Sequence, residues 1–161
     1  MTTHYIKFKD KEESKNVRWL EQGSSKDKQR QILNGLHIKN GETWAASGFV
    51  AHRTATPDSF KPYAGKTLRA LSNIPTKPNQ VVEFEEIPGN YPDVESALAK
   101  AEENDTVFEI HVSAKLLSET LKNFPTNDAG MVTLTFYAKN LPLKVTSDDA
   151  LAIVMPMHKP D

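Results

Sequence analysis

The alternation of apolar and polar positions predicts one order of elements twice along the chain: a strand, a helix and three strands. In the C-terminal part, residues 107–112 alternate with a period of two, which is typical of a half-buried strand. Ser113 can then cap a helix over residues 114–124, where apolar side chains recur on one face. Three β-rich runs follow and are predicted to be strands, over residues 131–137, 141–146 and 151–155.

The N-terminal part repeats this order without repeating the sequence. Residues 4–9 alternate as a strand, and Asp10 and Glu13 have the spacing of a capping box at the start of a helix that ends near Gly23. Asn40-Gly41 is typical of a tight hairpin turn between two strands. The strands predicted after this helix cover residues 32–38, 43–46 and 49–56.

The segment between the two repeats contains further predicted elements. Residues 57–64 form a proline-containing loop, and residues 66–71 and 80–87 are strand candidates on either side of a turn at 75–79. The alanine-rich residues 94–103 could add a short helical turn.

Composition indicates an ordinary globular domain. The 161 residues suffice for one domain with a sizeable core, and 38% of them are hydrophobic and 25% charged. No apolar run approaches the ~20 residues that a membrane span needs, and the N-terminus lacks a signal-peptide pattern. We therefore expect a cytoplasmic protein without membrane contact. The net charge of −1 provides no whole-molecule attraction to nucleic acid, so any DNA contact requires a local basic face.

The sequence contains no pattern that points to catalysis, a cofactor or a metal. The absence of cysteine excludes disulfides, thiolate metal sites and a cysteine nucleophile. The histidines lack ligand spacing, so packed or surface roles are favoured for His4, His37, His52, His111 and His158. Residues 88–90 lack a phosphate-binding pattern, and no nucleophile elbow occurs. We therefore predict a protein that is not an enzyme and has no cofactor.

Three motifs in the C-terminal part occur in the order and spacing of a known family. They are residues 114–117 (AKLL) with Leu121, residues 141–145 (LPLKV) and residues 154–157 (VMPM). Together they resemble the last half of the bacterial DNA polymerase III beta subunit, the sliding clamp. The further stretches that resemble clamp motifs are residues 32–38 (ILNGLHI), 46–51 (ASGFVA) and 88–93 (PGNYPD).

The resemblance implies an α+β domain of the DNA-clamp type, the processivity fold. Two strand-helix-three-strand repeats would form antiparallel sheets, with two helices on one face. Residues 1–161 are expected to form a single clamp-like domain, with residues 57–80 as an insertion. The bacterial subunit carries three such domains and closes a ring as a dimer, so a ring built from this chain would need a homo-oligomer.

A contact with double-stranded DNA is implied for the two helices, which line the hole of the ring in the clamp family. The matching basic residues are Lys11, Lys15, Arg18, Lys115 and Lys122. Contacts of such side chains with phosphates do not depend on base sequence and are sensitive to salt. The alternative is an ordinary solvated face, because Glu12, Glu21 and Glu119 dilute the charge.

A hydrophobic groove for short peptides of polymerases and repair proteins is the second site that the resemblance implies. The matching residues are Gly48, Phe49, Val154, Met155, Pro156 and Met157. Methionine suits such a groove because its flexible, polarizable side chain adapts to varied ligands. Ser47 and Val50 stand where the family has Asp and Arg. The alternative is a final strand that packs its own core, and the family groove also uses a neighbouring domain.

Three functions remain open from the sequence. The first is a sliding-clamp-like protein that acts in DNA replication or repair by encircling DNA, by binding clamp-binding peptides, or by both. The second is a monomeric or dimeric protein-interaction module of clamp fold that does not bind DNA. The third, a small-molecule enzyme, has the least support because the catalytic constellations are missing.

Overall fold

The computed structural model describes residues 1–126, 128–147 and 150–158. The chain forms two compact units, Met1–Ala99 and Lys100–Asp161. Helices and antiparallel sheets occur together, so the predicted α+β class is confirmed. None of the helices among the described residues has the length and apolar character that a membrane crossing requires.

The first unit is built on an antiparallel sheet. The strands are β1 Thr3–Lys7, β2 Leu36–Lys39, β3 Glu42–Ala46, β4 Ala51–Ala55, β5 Thr67–Ala70 and β6 Val81–Glu86. In residues 1–99, all of which are described, these six strands pair in the order β1-β6-β5-β2-β3-β4. The pairings across the sheet are antiparallel throughout, so residues opposite one another share a face.

Helix α1, Lys11–Gln22, packs on β3 and β4. The Asp10 carboxylate accepts a hydrogen bond from the Glu13 N–H (2.8 Å), and the Glu13 carboxylate accepts one from the Lys9 N–H (2.5 Å). The first bond satisfies a backbone donor that a helix start leaves free, which confirms the predicted cap at Asp10. The second reaches the residue before Asp10, whereas a complete capping box would bond the Asp10 N–H. Val17 is fully buried on the inner face of the helix.

Residues 57–80 supply part of the core of the first unit. A 3-10 helix, Asp58–Tyr63, buries Phe60 between Phe8 and Phe84, with ring centroids 6.2 and 5.3 Å from its own. Strand β5 lies between β2 and β6. The segment that the clamp resemblance treats as an insertion therefore contributes an inner strand and a core aromatic ring.

Local backbone chemistry decides where β2 begins and ends. Asn40-Gly41 has φ values of 55° and 77°, the left-handed values of a two-residue hairpin turn, which confirms the predicted turn between β2 and β3. The prediction of a strand over residues 32–38 is wrong in its first half, where Gln31–Asn34 forms a 3-10 helix. There the Leu33 N–H donates to the Arg30 carbonyl (2.9 Å) instead of to a neighbouring strand.

The second unit combines a small sheet with a helix. Among its described residues the strands are β7 Thr133–Thr135, β8 Leu143–Ser147 and β9 Ala150–Val154, paired antiparallel in that order. Helix α2 is Val94–Glu102, and helix α3, Ala114–Leu121, contacts β9. The fully buried core residues of this sheet are Leu143, Val145 and Val154.

Helix α3 begins as predicted and ends earlier. The Ser113 hydroxyl caps it by accepting a backbone N–H, which confirms the predicted N-cap. The helix ends at Leu121 because Lys122 takes an extended conformation (ψ 122°). The pattern predicts that Leu117, Leu121 and Phe124 share the apolar face of this helix. Leu117 and Phe124 pack against the core, whereas Leu121 is 38% exposed, so the prediction is wrong for Leu121.

The strand predicted over residues 107–112 is not formed in the structure. Ile110 and Val112 do pack against the core of the second unit, as their alternation predicts. The His111 carbonyl accepts a hydrogen bond from the Met157 N–H (2.6 Å), but a ladder does not develop from it. Alternation predicts which side chains are buried. A strand also needs a neighbouring strand whose backbone N–H and C=O groups are free to pair with it.

Candidate peptide-binding groove and basic helix

An open groove of about 900 Å³ lies on the second unit. Its apolar lining comes from two segments, one before α3 and one after β9. The residues that line it are Val107, Phe108, Glu109, His111, Lys139, Asn140, Met155, Pro156, Met157 and His158.

The residues just after β9 form one wall of the groove, and Met155 continues the alternation of the strand. Val154 faces the core and is buried, so Met155 faces outward and is 58% exposed. Pro156 has no N–H to donate, which ends the ladder. The next residue, Met157, is 54% exposed and donates its N–H to the His111 carbonyl, which holds this wall beside the opposite one.

The opposite wall consists of two exposed apolar side chains. Val107 is 92% exposed, and the Phe108 ring packs edge-to-face on Phe136 with centroids 6.2 Å apart. Aromatic pairs of this geometry hold a ring in place while they leave one side free. The groove therefore has a flexible methionine wall and a firmer aromatic wall.

Polar groups of both signs surround this apolar surface. Glu109 and Lys139 carry opposite charges, and His111 and His158 add imidazole rings. An exposed apolar centre with a polar rim is typical of a protein-interaction site. The arrangement can accept apolar side chains at its centre and hydrogen-bond a peptide backbone at its edge.

The structure places the six predicted peptide-binding residues in different settings. Met155, Pro156 and Met157 line the groove, whereas Val154 lies in the core. Gly48 and Phe49 belong to the first unit, in the turn between β3 and β4, and the groove lining comes from the second unit alone. In that turn Gly48 has a φ of 93°, which favours glycine, and Phe49 is 95% exposed.

Sequence reasoning missed Val107 and Phe108 as groove residues. Both lie in the stretch that alternation predicts to be a half-buried strand. Alternation places Val107 on the outward face with Glu109 and His111, whereas Phe108 falls on the same face as Ile110 and Val112, which pack on the core. The pattern therefore gave no signal that Phe108 lines a groove. Their proximity to Met155 and Met157 depends on contacts between segments about 50 residues apart, which periodicity does not report.

The basic residues of α1 form a short exposed strip. Lys11 and Lys15 are one helical turn apart and exposed, and neither makes an ion pair with another described residue. Arg18, one turn further, is half-buried and its Nε is buried without a hydrogen-bond partner in the described residues. The charge available at this surface is therefore mainly that of the two lysines.

The basic residues of α3 have different surroundings. Lys115 lies 3.9 Å from Glu119, one turn along the helix, so part of its charge is compensated. Lys122 is exposed and lies just beyond the last residue of the helix. The predicted DNA-binding residues of α3 are thus solvent-accessible, and the paired one retains only part of its charge for a phosphate.

The histidines take part in packing and hydrogen bonding. His37 stacks on Tyr91, His52 stacks on Trp19 with centroids 4.2 Å apart, and His4 Nε2 lies 3.1 Å from a Glu86 oxygen. Within the part of the chain that the structure describes, His, Asp and Glu form no cluster of three or more that could hold a metal ion.

The first unit also has its own ionic centre at Glu86. Hydrogen bonds from Lys66 (2.6 Å) and His4 hold the pKa of the Glu86 carboxyl below its usual value. His4 is on β1, Glu86 is on β6 and Lys66 comes just before β5, and none of the three lines a groove described above.

Comparison with protein-family models and with curated proteins yields no match.

Proposed function

We propose that this protein is a non-catalytic, DNA sliding-clamp-like protein that binds short linear peptides of replication or repair proteins. The observation that carries the proposal is the groove of the second unit, with Met155 and Met157 exposed on one wall and Phe108 on the other. The clamp type of α+β fold is part of the same proposal. It rests on the motifs at residues 114–117, 141–145 and 154–157.

The chemistry of the groove favours a peptide with two or three apolar anchors. An extended peptide offers apolar side chains at alternate positions and a backbone that needs hydrogen-bond partners. Methionines adapt to anchors of different shape, which suits a site with several partners. The mixed charges of Glu109 and Lys139 give the rim no strong preference for acidic or basic flanking residues.

Contact with double-stranded DNA is the second candidate function. Lys11 and Lys15 support it, because they are exposed on one side of α1 and make no ion pair with another described residue. Such a strip would contact phosphates without reading bases. The net charge of −1 indicates that this contact would be weak and sensitive to salt.

Titration with a fluorescent clamp-binding peptide tests the first function. The peptide carries leucine and phenylalanine anchors, and fluorescence anisotropy measures its Kd for the wild type, Met157→Ala and Leu151→Ala. Leu151 is the matched control, because it is exposed to a similar degree (63% against 54% for Met157) and lies on β9 but does not line the groove. We expect Met157→Ala to raise Kd about tenfold, since losing one buried apolar anchor costs roughly 1–2 kcal/mol.

The same titration with an anchor-free peptide, in which both anchors are alanine, controls for nonspecific binding. The proposal fails if the anchored peptide shows no saturable binding at about 1 mM, the weak limit for such complexes. It also fails if Leu151→Ala weakens binding as much as Met157→Ala, because binding would then not depend on the groove.

A further inference from the structure

A second concave site lies on the first unit, on the face of the sheet that points away from the phenylalanine core. His37, Trp44 and Arg53 stand opposite one another on β2, β3 and β4, so their side chains share this face. Trp44 is only 5% exposed although it lies on the face opposite the core. Chain beyond β6 must therefore cover it.

The cover is the segment from Tyr91 to Leu98, and it is loosely held. The Tyr91 ring is parallel to the His37 ring, with centroids 4.6 Å apart. The Lys39 ammonium lies 3.3 Å from the Glu95 carboxylate in an exposed ion pair, which is a weak tie. Helix α2 buries none of its residues. Space therefore remains between the cover and the sheet.

This space consists of two adjoining cavities that share Trp44 and Val94. One, of about 190 Å³, has polar walls that include His37, Tyr91 and Glu95. The other, of about 300 Å³, is apolar, with Leu98 among its lining residues. Both are at or below the lower end of the roughly 300–1,000 Å³ typical of small-molecule sites, so an occupant must be small.

The indole of Trp44, which lines both cavities, carries an unused hydrogen-bond donor. The Trp44 indole Nε1–H is buried and has no hydrogen-bond partner among the described residues. A buried donor is normally paired. An acceptor that bonds an unpaired buried donor gains binding free energy, because the donor has already lost its water. The Arg53 guanidinium lies 5.3 Å from the centre of the same ring, on its face, and does not occupy the N–H.

The two cations around the site already have carboxylate partners. Lys39 pairs with Glu95, and Arg53 lies 3.5 Å from Glu42. Asp93, which also lines the polar cavity, accepts hydrogen bonds from the Ser96 N–H and hydroxyl. Burial, and then the neighbouring charge of Lys39, lower the pKa of His37, so its ring is neutral at pH 7. A neutral ligand displaces none of these partners and loses little on entry.

We propose that these adjoining cavities bind a small, neutral, planar molecule that carries a hydrogen-bond acceptor on its rim. The acceptor receives the Trp44 Nε1–H, and the flat body lies among the aromatic rings and the apolar wall at Leu98. A heteroaromatic or aromatic amide has this chemistry. This site belongs to the first unit and is independent of the peptide groove.

Benzamide is a suitable probe, because it is planar, neutral and carries a strong acceptor. Its shape-matched comparisons are toluene, which lacks the acceptor, and benzoate, which is charged. Two-dimensional ¹H–¹⁵N NMR resolves the indole N–H signals of the two tryptophans, Trp19 and Trp44. The variant Trp19→Phe assigns them by leaving only Trp44.

We expect benzamide, at concentrations on the order of 10 mM appropriate to so small a ligand, to move the Trp44 indole proton downfield until the shift saturates. Toluene and benzoate should move it less, and the Trp19 signal should stay in place. The variant Trp44→Phe should weaken benzamide binding about fivefold to tenfold, the loss of one neutral hydrogen bond. If Trp44→Phe does not fold, the saturable shift of the Trp44 indole proton in the wild type still tests whether benzamide binds at this site.

Three results would overturn the proposal. Absence of any Trp44 shift with benzamide would mean that the cavities take no such ligand. Equal shifts with toluene would mean that the N–H is not used, and a larger effect of benzoate would indicate an anion site instead. None of these results bears on peptide binding by Met157, so failure here and failure of the proposed function are separable.

Discussion

The imidazole of His37 and the phenol ring of Tyr91 lie parallel, with a tilt of 3° and centroids 4.6 Å apart. His37 is on β2 and Tyr91 is in the segment that follows β6, so the stack ties the chain after the sheet back onto it. Nδ1 of His37 lies 2.9 Å from the Thr67 hydroxyl on β5, which fixes the orientation of the ring. Two predictions follow from this contact.

Replacing Tyr91 with leucine should lower the free energy of unfolding by about 0.5–1.5 kcal/mol beyond the loss of buried area, because the ring stack is lost. Tyr91→Phe keeps the stack and should cost much less. Urea denaturation followed by circular dichroism measures both. Equal losses in the two variants would show that the hydroxyl, and not the stack, stabilises the segment.

Stability should fall as the pH is lowered through the histidine range. Burial lowers the pKa of His37 in the folded protein below the value of about 6.5 expected in the unfolded chain. The unfolded chain therefore binds more protons there, so this stabilisation is fully present above about pH 6.5 and is lost as the pH falls through the folded pKa. Urea midpoints between pH 7 and pH 5 should decline less in His37→Gln than in the wild type, and parallel declines would contradict this.

Phe60→Ala should destabilise the protein by about 3–5 kcal/mol, since it opens a cavity between the rings of Phe8 and Phe84. Phe49→Ala is the matched control, because that ring is 95% exposed and its removal should change stability by less than about 0.5 kcal/mol. Thermal or urea unfolding compares the two. A small effect at Phe60 would mean that residues 57–80 are peripheral to the first unit.

Charge reversal on α1 tests the DNA contact. Binding of a fluorescent duplex at low salt should weaken about tenfold in the double variant Lys11→Glu, Lys15→Glu, and should fade steeply as salt rises. Lys77→Glu, an exposed lysine in the turn between β5 and β6, is the control for net charge. Lys77→Glu reverses one charge and the double variant reverses two. If Lys77→Glu loses half as much binding free energy as the double variant, the effect is one of overall charge and the α1 strip has no special role.

The local parts of the fold could be predicted from the sequence. Asp10 and Ser113 cap their helices through bonds that span three residues, and Asn40-Gly41 makes its turn through its own φ values. Such features depend on neighbours in the chain, which the sequence displays directly.

The features that were mispredicted or missed depend on distant segments. Residues 107–112 alternate like a strand but lack a paired neighbour, and residues 32–34 bond back to a local turn instead of continuing β2. The groove needs Val107 and Phe108 beside Met157, and the cavities need Tyr91 folded back over Trp44. The hydrophobic periodicity of the sequence does not report such contacts between distant segments.

By itself, the sequence determined the caps and the hairpin turn, because each arises from interactions within a few residues, and its resemblance to the clamp family implied the α+β class. Tertiary structure alone decided that β5 is an inner strand, that two remote walls form the groove and that the Trp44 indole N–H has no partner among the described residues. The physical reason is that pairing, cavity shape and hydrogen-bond satisfaction are properties of segments brought together by folding, and these segments are far apart along the chain.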